Sequence, residues 1–320
     1  MRIVWVSFAP LRKTQAGFTS DLASVRYRIT LPAQAIAGSK LTYLGPGANR
    51  RTLLERFAGA DAAVFGKVFD PSLAQSALEI ADALRKRGVK IIADYSDDHF
   101  VHPVLGPVYR AIANAADAVV ASTSALADVL KTQTPIPVSV IGDPVEGRRG
   151  EPRSSIERPP RLLWFGHPLN LDTLPFGLDQ LNERRIKFAM TIVTTPTAGV
   201  EALGHRFRPW STQAVFDELR ECDAVLIPSD PHDPRKAVKS SNRFTESLWA
   251  GRFVIAHSLP AYQPLAAYGW VGENLGEGLE WLLGNFDDAC ARIRAGQEWV
   301  EAHLSRAAIA RAWQAVIDAI

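Results

Sequence analysis

Short apolar runs alternate with helical patterns along the chain. In the first half these runs lack the polar alternation of a half-exposed strand, which is typical of strands buried on both faces of a parallel sheet. The runs that we expect to be strands are Ile3–Val6, Leu41–Leu44, Ala62–Phe65, Val89–Ala93, Ala118–Ala121 and Val138–Ile141. Helical patterns lie between them, as in Leu73–Lys86 and Ser124–Lys131. This βαβ rhythm predicts an α/β fold with a doubly wound sheet.

The rhythm stops near the middle of the chain and then restarts. The segment Gly142–Pro160 is rich in Gly, Pro, Arg and Ser, and within it we place an interdomain linker at residues 145–160. The later strands are expected at Arg161–Phe165, Phe188–Val193, Ala224–Ile227 and Phe253–Ala256. The later helices are expected at Thr212–Glu221 and Asn242–Ala250. We therefore predict one domain over residues 1–144 and a second over residues 161–302.

The last segment, residues 303–320, has the pattern of an amphipathic helix. Ile309, Trp313, Val316, Ile317 and Ile320 fall on one face at helical spacing. We expect this helix to pack back toward the N-terminal domain.

Composition supports a folded protein with two domains. The chain has 320 residues, which exceeds one ordinary core and suits two α/β domains of roughly 150 residues each. Hydrophobic residues make up 47% and charged residues 22%, as in ordinary globular proteins. The net charge is only +2, which argues against nucleic acid as a partner because phosphate-backbone binding needs a concentrated basic surface.

The sequence favours a cytoplasmic location. The N-terminal apolar run is too short for a signal peptide, and no stretch approaches the roughly 20 apolar residues of a membrane span. Cys222 and Cys290 lack metal-ligand or CxxC spacing and fit reduced thiols. Small basic clusters suggest a weak peripheral contact with an anionic membrane, although solvated surface is the alternative. These clusters are Arg50–Arg51, Arg85–Lys86–Arg87, Arg148–Arg149 and Arg184–Arg185.

The segment 236–256 reads as a loop, a helix and a strand, and it carries the clearest chemical signal. Ser240 and Ser241 are good N-cap residues, Phe244 and Leu248 form an apolar stripe, and Gly251 is a natural helix end. The free N–H groups and the positive dipole end of such a helix favour phosphate oxygens. We therefore predict an anion site at this helix start.

A carboxylate and a lysine flank the predicted anion site. Glu246 lies one turn beyond Asn242 on the same face, where it can accept hydrogen bonds from two neighbouring sugar hydroxyls. Lys239 can add a charge-assisted contact to phosphate. Together these features describe the diphosphate and ribose of a nucleotide. The alternative is structural: Glu246 pairs with Arg243, and the serines only cap the helix.

The same segment resembles the donor-binding stretch of GT-B glycosyltransferases of the large group-one type. That family's pattern reads roughly Lys-x-x-Asn-[Lys/Arg]-x-x-Glu-x-Leu-x-Ala-Gly. The matching residues here are Lys239, Asn242, Arg243, Glu246, Leu248, Ala250 and Gly251, followed by Val254, Ile255 and Ala256. Ala224–Ser229, Ala118–Ser124 and two expected closing helices, Trp270–Leu283 and Gly296–Leu304, extend the resemblance over nearly the whole chain.

The resemblance implies a fold and an activity. The fold is GT-B, with two Rossmann-like domains whose parallel sheets face each other across a cleft. The activity is transfer of a sugar from a nucleoside diphosphate sugar to an acceptor hydroxyl on a glycan, with no bound metal or other cofactor. The resemblance assigns the donor diphosphate to the helix start at Ser240, Ser241 and Asn242 and the ribose to Glu246.

One loop departs from the family pattern. Many relatives carry an arginine and a lysine that grip the diphosphate after the first strand of the second domain. Here the loop reads Phe165-Gly-His-Pro-Leu-Asn-Leu-Asp172, and it offers Gly166 and His167 without a basic side chain. The phosphate charge must then be met elsewhere, and the candidates are Lys239, Lys236 and Arg243.

Two loops of the N-terminal domain are candidates for the acceptor side. In relatives an S-x-R-x-R element after the first strand faces the cleft, so Arg26 and Arg28 are expected to bind donor phosphate or an anionic acceptor. Solvated arginines at a helix start are the alternative.

The second loop, Asp94–His102, follows the fourth strand and resembles the D-x-D-D variant of the family. Asp97 and Asp98 are expected to orient an acceptor hydroxyl or to cap the next helix. We name Asp98, His99 and His102 as catalytic candidates, with His99 or His102 contacting the transferred sugar.

Three other function classes compete with sugar transfer. A nucleotide-sugar epimerase would use the same fold without an acceptor. A dehydrogenase is a weak alternative, because the glycine-rich stretch Leu44–Arg50 follows the second strand rather than the first. A non-catalytic protein that keeps the donor site is the third.

Overall fold

The predicted apolar runs form the buried strands of two parallel sheets. The computed structural model describes residues 1–15, 17–47, 54–197 and 199–320, without the side chain of Ala202. Arg50–Arg51 of the first basic cluster and Ala48–Arg50 of the glycine-rich stretch lie outside these residues. The described chain divides into two compact units, residues 1–144 with 238–240 and 303–320, and residues 145–237 with 241–302.

The first unit contains eight strands among its described residues. They are β1 Ile3–Ser7, β2 Arg12–Thr14, β3 Gly17–Thr19, β4 Ser39–Tyr43, β5 Ala62–Phe65, β6 Lys90–Tyr95, β7 Ala118–Ala121 and β8 Val138–Val140. Six form a parallel sheet in the order β4-β1-β5-β6-β7-β8, and β2 pairs with β3 in an antiparallel ribbon. Strands β1 and β5 are buried along their whole length, as their unbroken apolar runs predict.

Helices cover this sheet and complete the first core. They are Ala23–Val25, Leu31–Ala35, Ala74–Arg85, Leu105–Ala115, Ser124–Lys131 and Arg306–Asp318, and Arg26–Thr30 forms a π-helical turn between the first two. The terminal helix buries Ile309, Trp313 and Ile317, three members of its predicted apolar face. The Trp313 ring meets the edge of Trp5 with 4.8 Å between centroids. Packing of this helix therefore completes the core around β1.

The second unit repeats the architecture. Its strands within the described residues are β9 Arg161–Phe165, β10 Ala189–Thr194, β11 Arg206–Pro209, β12 Ala224–Ile227, β13 Phe253–His257 and β14 Trp270–Gly272. All pair in parallel in the order β11-β10-β9-β12-β13-β14. Its helices are Leu174–Glu183, Thr212–Glu221, Pro234–Ala237, Asn242–Trp249, Leu275–Gly284 and Phe286–Leu304, the last belonging to this unit up to Ala302.

The sequence-based assignments differ from the structure in a few places. Strand β11 was not predicted, because its alternating Arg-Phe-Arg-Pro pattern is that of a half-exposed edge. The expected helix Trp270–Leu283 begins as the edge strand β14, and only Leu275–Gly284 is helical. The second expected closing helix is longer than predicted and begins at Phe286. Residues 145–160 contain no helix or strand and belong to the second unit.

Within the described parts of the chain, no helix is both long and apolar enough to cross a membrane.

Candidate functional site

The helix Asn242–Trp249 begins after Ser241, whose side chain does not cap it. Ser241 occupies the N-cap position but makes no capping hydrogen bond, and its carbonyl accepts from Thr245 N at 3.0 Å. Phe244 and Leu248 are fully buried in the second core, so the apolar stripe fixes the helix against the sheet. The positive end of this helix therefore keeps a fixed direction and is not neutralised by a side-chain oxygen of Ser241.

Gly251 ends this helix for a steric reason. Its φ of +76° is in the left-handed region, and a Cβ atom there would lie 2.4 Å from the carbonyl oxygen of Glu151. Only glycine fits both constraints. The predicted helix end is thus observed one residue beyond Ala250.

Arg243 places a guanidinium group beside the end of strand β9. A Cβ atom built on Gly166 would lie 3.6 Å from Arg243 Nη1. The Gly166 backbone is held by its N–H donating to Val193 O at 3.1 Å and by its carbonyl accepting from Thr194 Oγ1 at 2.9 Å. Arg243 Nη1 is buried and has no hydrogen-bond partner among the described residues. A buried donor of this kind is costly unless a ligand supplies an acceptor.

His167 has a structural contact in the same loop. Its Nδ1 accepts from Leu169 N at 3.2 Å and caps the 3₁₀ turn Pro168–Thr173. This contact shapes the loop after β9, and it occupies one of the two ring nitrogens of His167. The sequence alone did not indicate this structural contact.

Glu246 is buried rather than open to a ligand. Its side chain is 3% exposed, and its carboxylate accepts from Glu146 N and from Gly147 N, the latter at 3.2 Å. Trp249 Nε1 donates to Gly147 O at 3.0 Å, which holds the same segment. The expected ribose acceptor is therefore engaged by this chain's own backbone, and the geometry argues against the predicted ribose contact.

Lys239 lies in the first unit, where it pairs with Asp97. Val238 of the same short segment accepts a hydrogen bond from Thr123 Oγ1 at 3.0 Å. The Lys239 ammonium donates to one Asp97 oxygen, and Lys67 Nζ donates to the other at 2.7 Å. Asp97 thus competes with the predicted donor phosphate for the Lys239 ammonium group.

Lys67 is a candidate residue that the sequence analysis missed. It follows β5 by two positions, and ligands of parallel sheets bind beyond the carboxyl ends of strands. That rule was available from the sequence, but Lys67 stands alone without a motif. Its partner Asp97 lies thirty residues further along the chain.

Asp97 is held in its charged form. Burial acts to raise the pKa of Asp97, but the ammonium groups of Lys239 and Lys67 outweigh burial and lower this pKa to about 2. A carboxylate with such a low pKa is a weak base. Asp97 is therefore suited to binding and positioning rather than to proton abstraction.

Two of the three catalytic candidates, Asp98 and His102, stabilise their own loop. Asp98 Oδ1 accepts from Phe100 N at 3.0 Å, and His102 Nδ1 accepts from Val104 N and Leu105 N, capping the helix Leu105–Ala115. Asp98 thus closes a turn inside the loop rather than capping the next helix, and catalysis by Asp98 or His102 stays a prediction.

His99 differs from its neighbours in the loop. Its ring stands edge-on to Tyr109 with centroids 5.5 Å apart, and its Nε2 is buried without a partner among the residues described. Burial and the Lys67 ammonium lower the pKa of His99, so its ring is neutral at pH 7. His99 thus remains a predicted contact of the transferred sugar.

Arg26 and Arg28 are buried in the first unit and are not placed to bind phosphate. Arg26 Nη1 donates to the carbonyls of Ser20 and Asp21, each at 3.1 Å. This geometry corrects the expectation that both arginines meet donor phosphate or an anionic acceptor. The π-helical turn Arg26–Thr30 turns both side chains toward protein rather than solvent.

The Arg28 guanidinium joins four chain segments. It makes a two-point contact with Asp94 at 2.5 and 3.1 Å, and it donates to Asp143 Oδ1 at 3.0 Å and to Ile141 O at 2.6 Å. It also lies over the Trp313 ring at 5.7 Å. Burial acts to lower the pKa of Arg28, but Asp94 and Asp143 raise it above its ordinary value. Arg28 is therefore a structural cation.

No group of three or more His, Cys, Asp or Glu side chains is placed to hold a metal ion in the described portion of the chain.

Comparison with known proteins identifies the fold of this chain. Neither a family model nor a curated protein sequence matches the chain. Among solved structures it is similar to Anabaena HepE in complex with UDP-glucose, at 11% identity over the full length of both chains and a TM-score of 0.74. It is also similar to sucrose-phosphate synthase from Thermosynechococcus elongatus, at 13% identity over both full lengths and a TM-score of 0.69.

A third similar structure is S. aureus TarM, solved with UDP and α-GlcNAc-glycerol among its ligands. The similarity covers 80% of this chain and 55% of that one, at 11% identity and a TM-score of 0.62. At such identities the likeness shows the fold. The predicted α/β GT-B fold is confirmed.

Loss of the Arg28 guanidinium should destabilise the protein. Arg28→Ala leaves two buried carboxylates without their partner, and we expect a loss of about 3–5 kcal/mol in the free energy of unfolding. Urea unfolding followed by circular dichroism measures the change. Arg85→Ala, on the exposed face of Ala74–Arg85, should stay within about 0.5 kcal/mol of the wild type. Equal stability of the two variants would contradict a structural Arg28.

The Asp97 carboxylate should contribute stability that acid removes. Its folded pKa lies below the unfolded value, so the contribution is complete above about pH 4 and disappears as the pH falls toward 2. Asp97→Asn should cost about 2 kcal/mol at pH 7, about half as much near pH 3 and little near pH 2. Unfolding midpoints at several pH values test this. Asp128→Asn removes a matched but exposed pair with Lys131, and its effect should be under about 1 kcal/mol. A pH-independent Asp97 effect would contradict the assignment.

Proposed function

We propose that the second unit binds a nucleoside diphosphate sugar and that the protein transfers the sugar to an acceptor hydroxyl. The observation that carries this proposal is the buried Arg243 Nη1 without a partner beside Gly166. An anion oxygen is the acceptor that completes such a site, because charge-assisted hydrogen bonds to guanidinium are strong.

The surroundings of Arg243 suit a diphosphate. The uncapped helix start at Ser241 contributes its dipole and backbone amides to the same negative ligand. Gly166 has no side chain, so its backbone leaves room for a phosphate next to the guanidinium. Arg243 thereby supplies the positive charge that the loop Gly166–Asp172 lacks. We also propose that Ser240 and Asn242 lie next to the phosphates, because they flank Ser241 in the sequence.

The similar structures support a sugar donor of this class. HepE was solved with UDP-glucose, and TarM with UDP and a GlcNAc-glycerol compound. Because this chain has the same fold, UDP and UDP-glucose are the first ligands to test. A hydroxyl acceptor on a glycan remains our proposal from the sequence resemblance.

The proposed transfer is a substitution at the anomeric carbon. The acceptor oxygen forms a bond to that carbon, the bond to the β-phosphate oxygen breaks, and the acceptor hydroxyl loses its proton. The products are the glycoside, the nucleoside diphosphate and a proton. The charge that develops on the leaving phosphate is stabilised by Arg243 and by the fixed helix dipole.

Three further expectations from the sequence belong to this proposal. We propose that transfer needs no bound metal, which activity in the presence of EDTA would test. We also propose a cytoplasmic location and a weak contact with anionic membranes. Binding to vesicles with and without anionic lipid would test the membrane contact.

Replacement of Arg243 by a neutral side chain of similar length should weaken donor binding. For Arg243→Met we expect UDP affinity to fall about tenfold to a hundredfold, because one charge-assisted contact is lost. Isothermal titration with UDP measures binding, and release of UDP from UDP-glucose with and without acceptor measures transfer.

A matched control separates this effect from general loss of charge. Arg294→Met removes an exposed arginine of the same unit and should bind UDP like the wild type. Arg243→Lys should retain part of the affinity because it keeps the charge. Normal UDP binding and normal sugar transfer by Arg243→Met would overturn the proposed donor site. If the wild-type protein releases UDP from UDP-glucose at the same rate with and without acceptor, the donor undergoes a different reaction.

A further inference from the structure

Lys67, Asp97 and Lys239 form a charged cluster in the first unit. Lys67 follows strand β5, and Asp97 follows strand β6, which is its neighbour in the sheet. Each lysine donates to a different Asp97 oxygen. The cluster therefore lies at the carboxyl edge of the sheet, where parallel α/β sheets bind ligands.

The cluster carries more positive than negative charge. Two ammonium groups share one carboxylate, whose low pKa keeps it ionised, so the net charge of the three side chains is +1. The Lys67 and Asp97 side chains are only 17% and 12% exposed, whereas the Lys239 side chain is 52% exposed, so the poorly screened ammonium is that of Lys67. Water therefore screens this positive charge less than it would on an open surface.

Lys67 has donors left for a ligand. An ammonium group has three N–H donors, and among the described residues Lys67 Nζ makes one hydrogen bond, to Asp97. The ring of Phe69 lies 4.8 Å from Nζ and adds a second favourable contact. The neighbouring His99 ring is neutral at pH 7 and does not change the charge of the cluster.

A small cavity of mixed polar and apolar lining lies beside Lys67. Its lining residues are Ser7, Phe8, Ser24, Val25, Arg28, Ile29, Gly66, Lys67 and Ser96. The hydroxyls of Ser7 and Ser96 already donate within the protein, to Ala9 O at 2.7 Å and to Asp97 Oδ2 at 3.3 Å. Asp94 and Asp143 neutralise Arg28, the other cation of this lining, whereas Lys67 shares its single carboxylate partner with Lys239. Lys67 is therefore the group in this lining that can donate to an anionic oxygen.

We infer that the acceptor of the proposed transfer carries an anionic group, a phosphate or a carboxylate, that Lys67 and Lys239 bind. This inference rests on the proposed function and adds the chemical class of the acceptor. A neutral sugar would leave the charge of the cluster uncompensated, whereas an anionic sugar neutralises it. Lys67 is the specificity-determining residue of this site, and Asp97 holds both ammonium groups in place.

Binding of matched sugars tests the inference. The probes are glucose, glucose 6-phosphate and glucuronate, each titrated into the full-length protein by calorimetry. We expect an anionic probe to bind at least about tenfold more tightly than glucose. The stronger of the two anionic probes identifies phosphate or carboxylate as the group recognised. Equal binding of all three probes would overturn the inference.

Variants of Lys67 assign the preference to this cluster. Lys67→Met should abolish the preference for an anionic probe, and Lys67→Arg should keep most of it. Lys131→Met removes an exposed lysine that pairs with Asp128 in the same unit and should bind like the wild type. A preference that survives Lys67→Met contradicts the inference. If Lys67→Met does not fold, Lys67→Arg and Lys67→Gln replace it in the test. The inference then predicts that Lys67→Arg keeps the preference for an anionic sugar and that Lys67→Gln loses it.

UDP titrations separate failure of this inference from failure of the proposed function. The inference predicts that Lys67→Met binds UDP like the wild type, whereas Arg243→Met does not. Weakened UDP binding in Lys67→Met would assign the cluster to the donor and overturn the acceptor inference. A wild-type protein that binds no UDP but prefers an anionic sugar through Lys67 would refute sugar transfer and leave the anion site in place.

Discussion

An arginine donor that is buried without an acceptor is the constraint on which the proposed chemistry depends. Desolvating a guanidinium N–H is costly, and the buried Arg28 guanidinium is matched by carboxylates and carbonyls. Arg161 Nε is also buried without a partner among the described residues, but the other two nitrogens of that guanidinium pair with Glu157 and Glu221. Arg243 Nη1 has no such match in the described chain. Its place is nevertheless fixed, because Phe244 and Leu248 anchor its helix in the second core. A stable fold that holds a guanidinium N–H without an acceptor at a strand end suits the anion that we propose.

The contrast with Arg28 shows why burial alone does not identify a binding residue. Arg28 is also buried beyond a strand end, yet Asp94 and Asp143 neutralise it, and Trp313 covers it. Its partners come from the same unit and explain its presence completely. The cluster around Asp97 is intermediate between these cases, because two lysines share one carboxylate. Charge left after internal pairing is therefore the feature that separates ligand sites from structural ion pairs here.

The sequence predicted the architecture well because burial on both faces leaves a clear pattern. Strands β5 and β7 and the helices Ser124–Lys131 and Thr212–Glu221 have the expected bounds, while the edge strands β11 and β14 lack an unbroken apolar run. The partners of individual side chains could not be predicted. Glu246 meets backbone one hundred residues away, and Arg28 meets Asp143 across 115 positions. Spacing thus placed candidate residues near strand ends, but only the folded structure shows which of them are already satisfied.

A crystal structure of the protein with UDP tests the central claim most directly. We expect a phosphate oxygen about 3 Å from Arg243 Nη1 and within reach of the backbone amides that follow Ser241. We also expect the first turn of the helix to stay where it is, because the anchoring side chains are already buried. A diphosphate bound elsewhere, with Nη1 still lacking an acceptor, would contradict the claim.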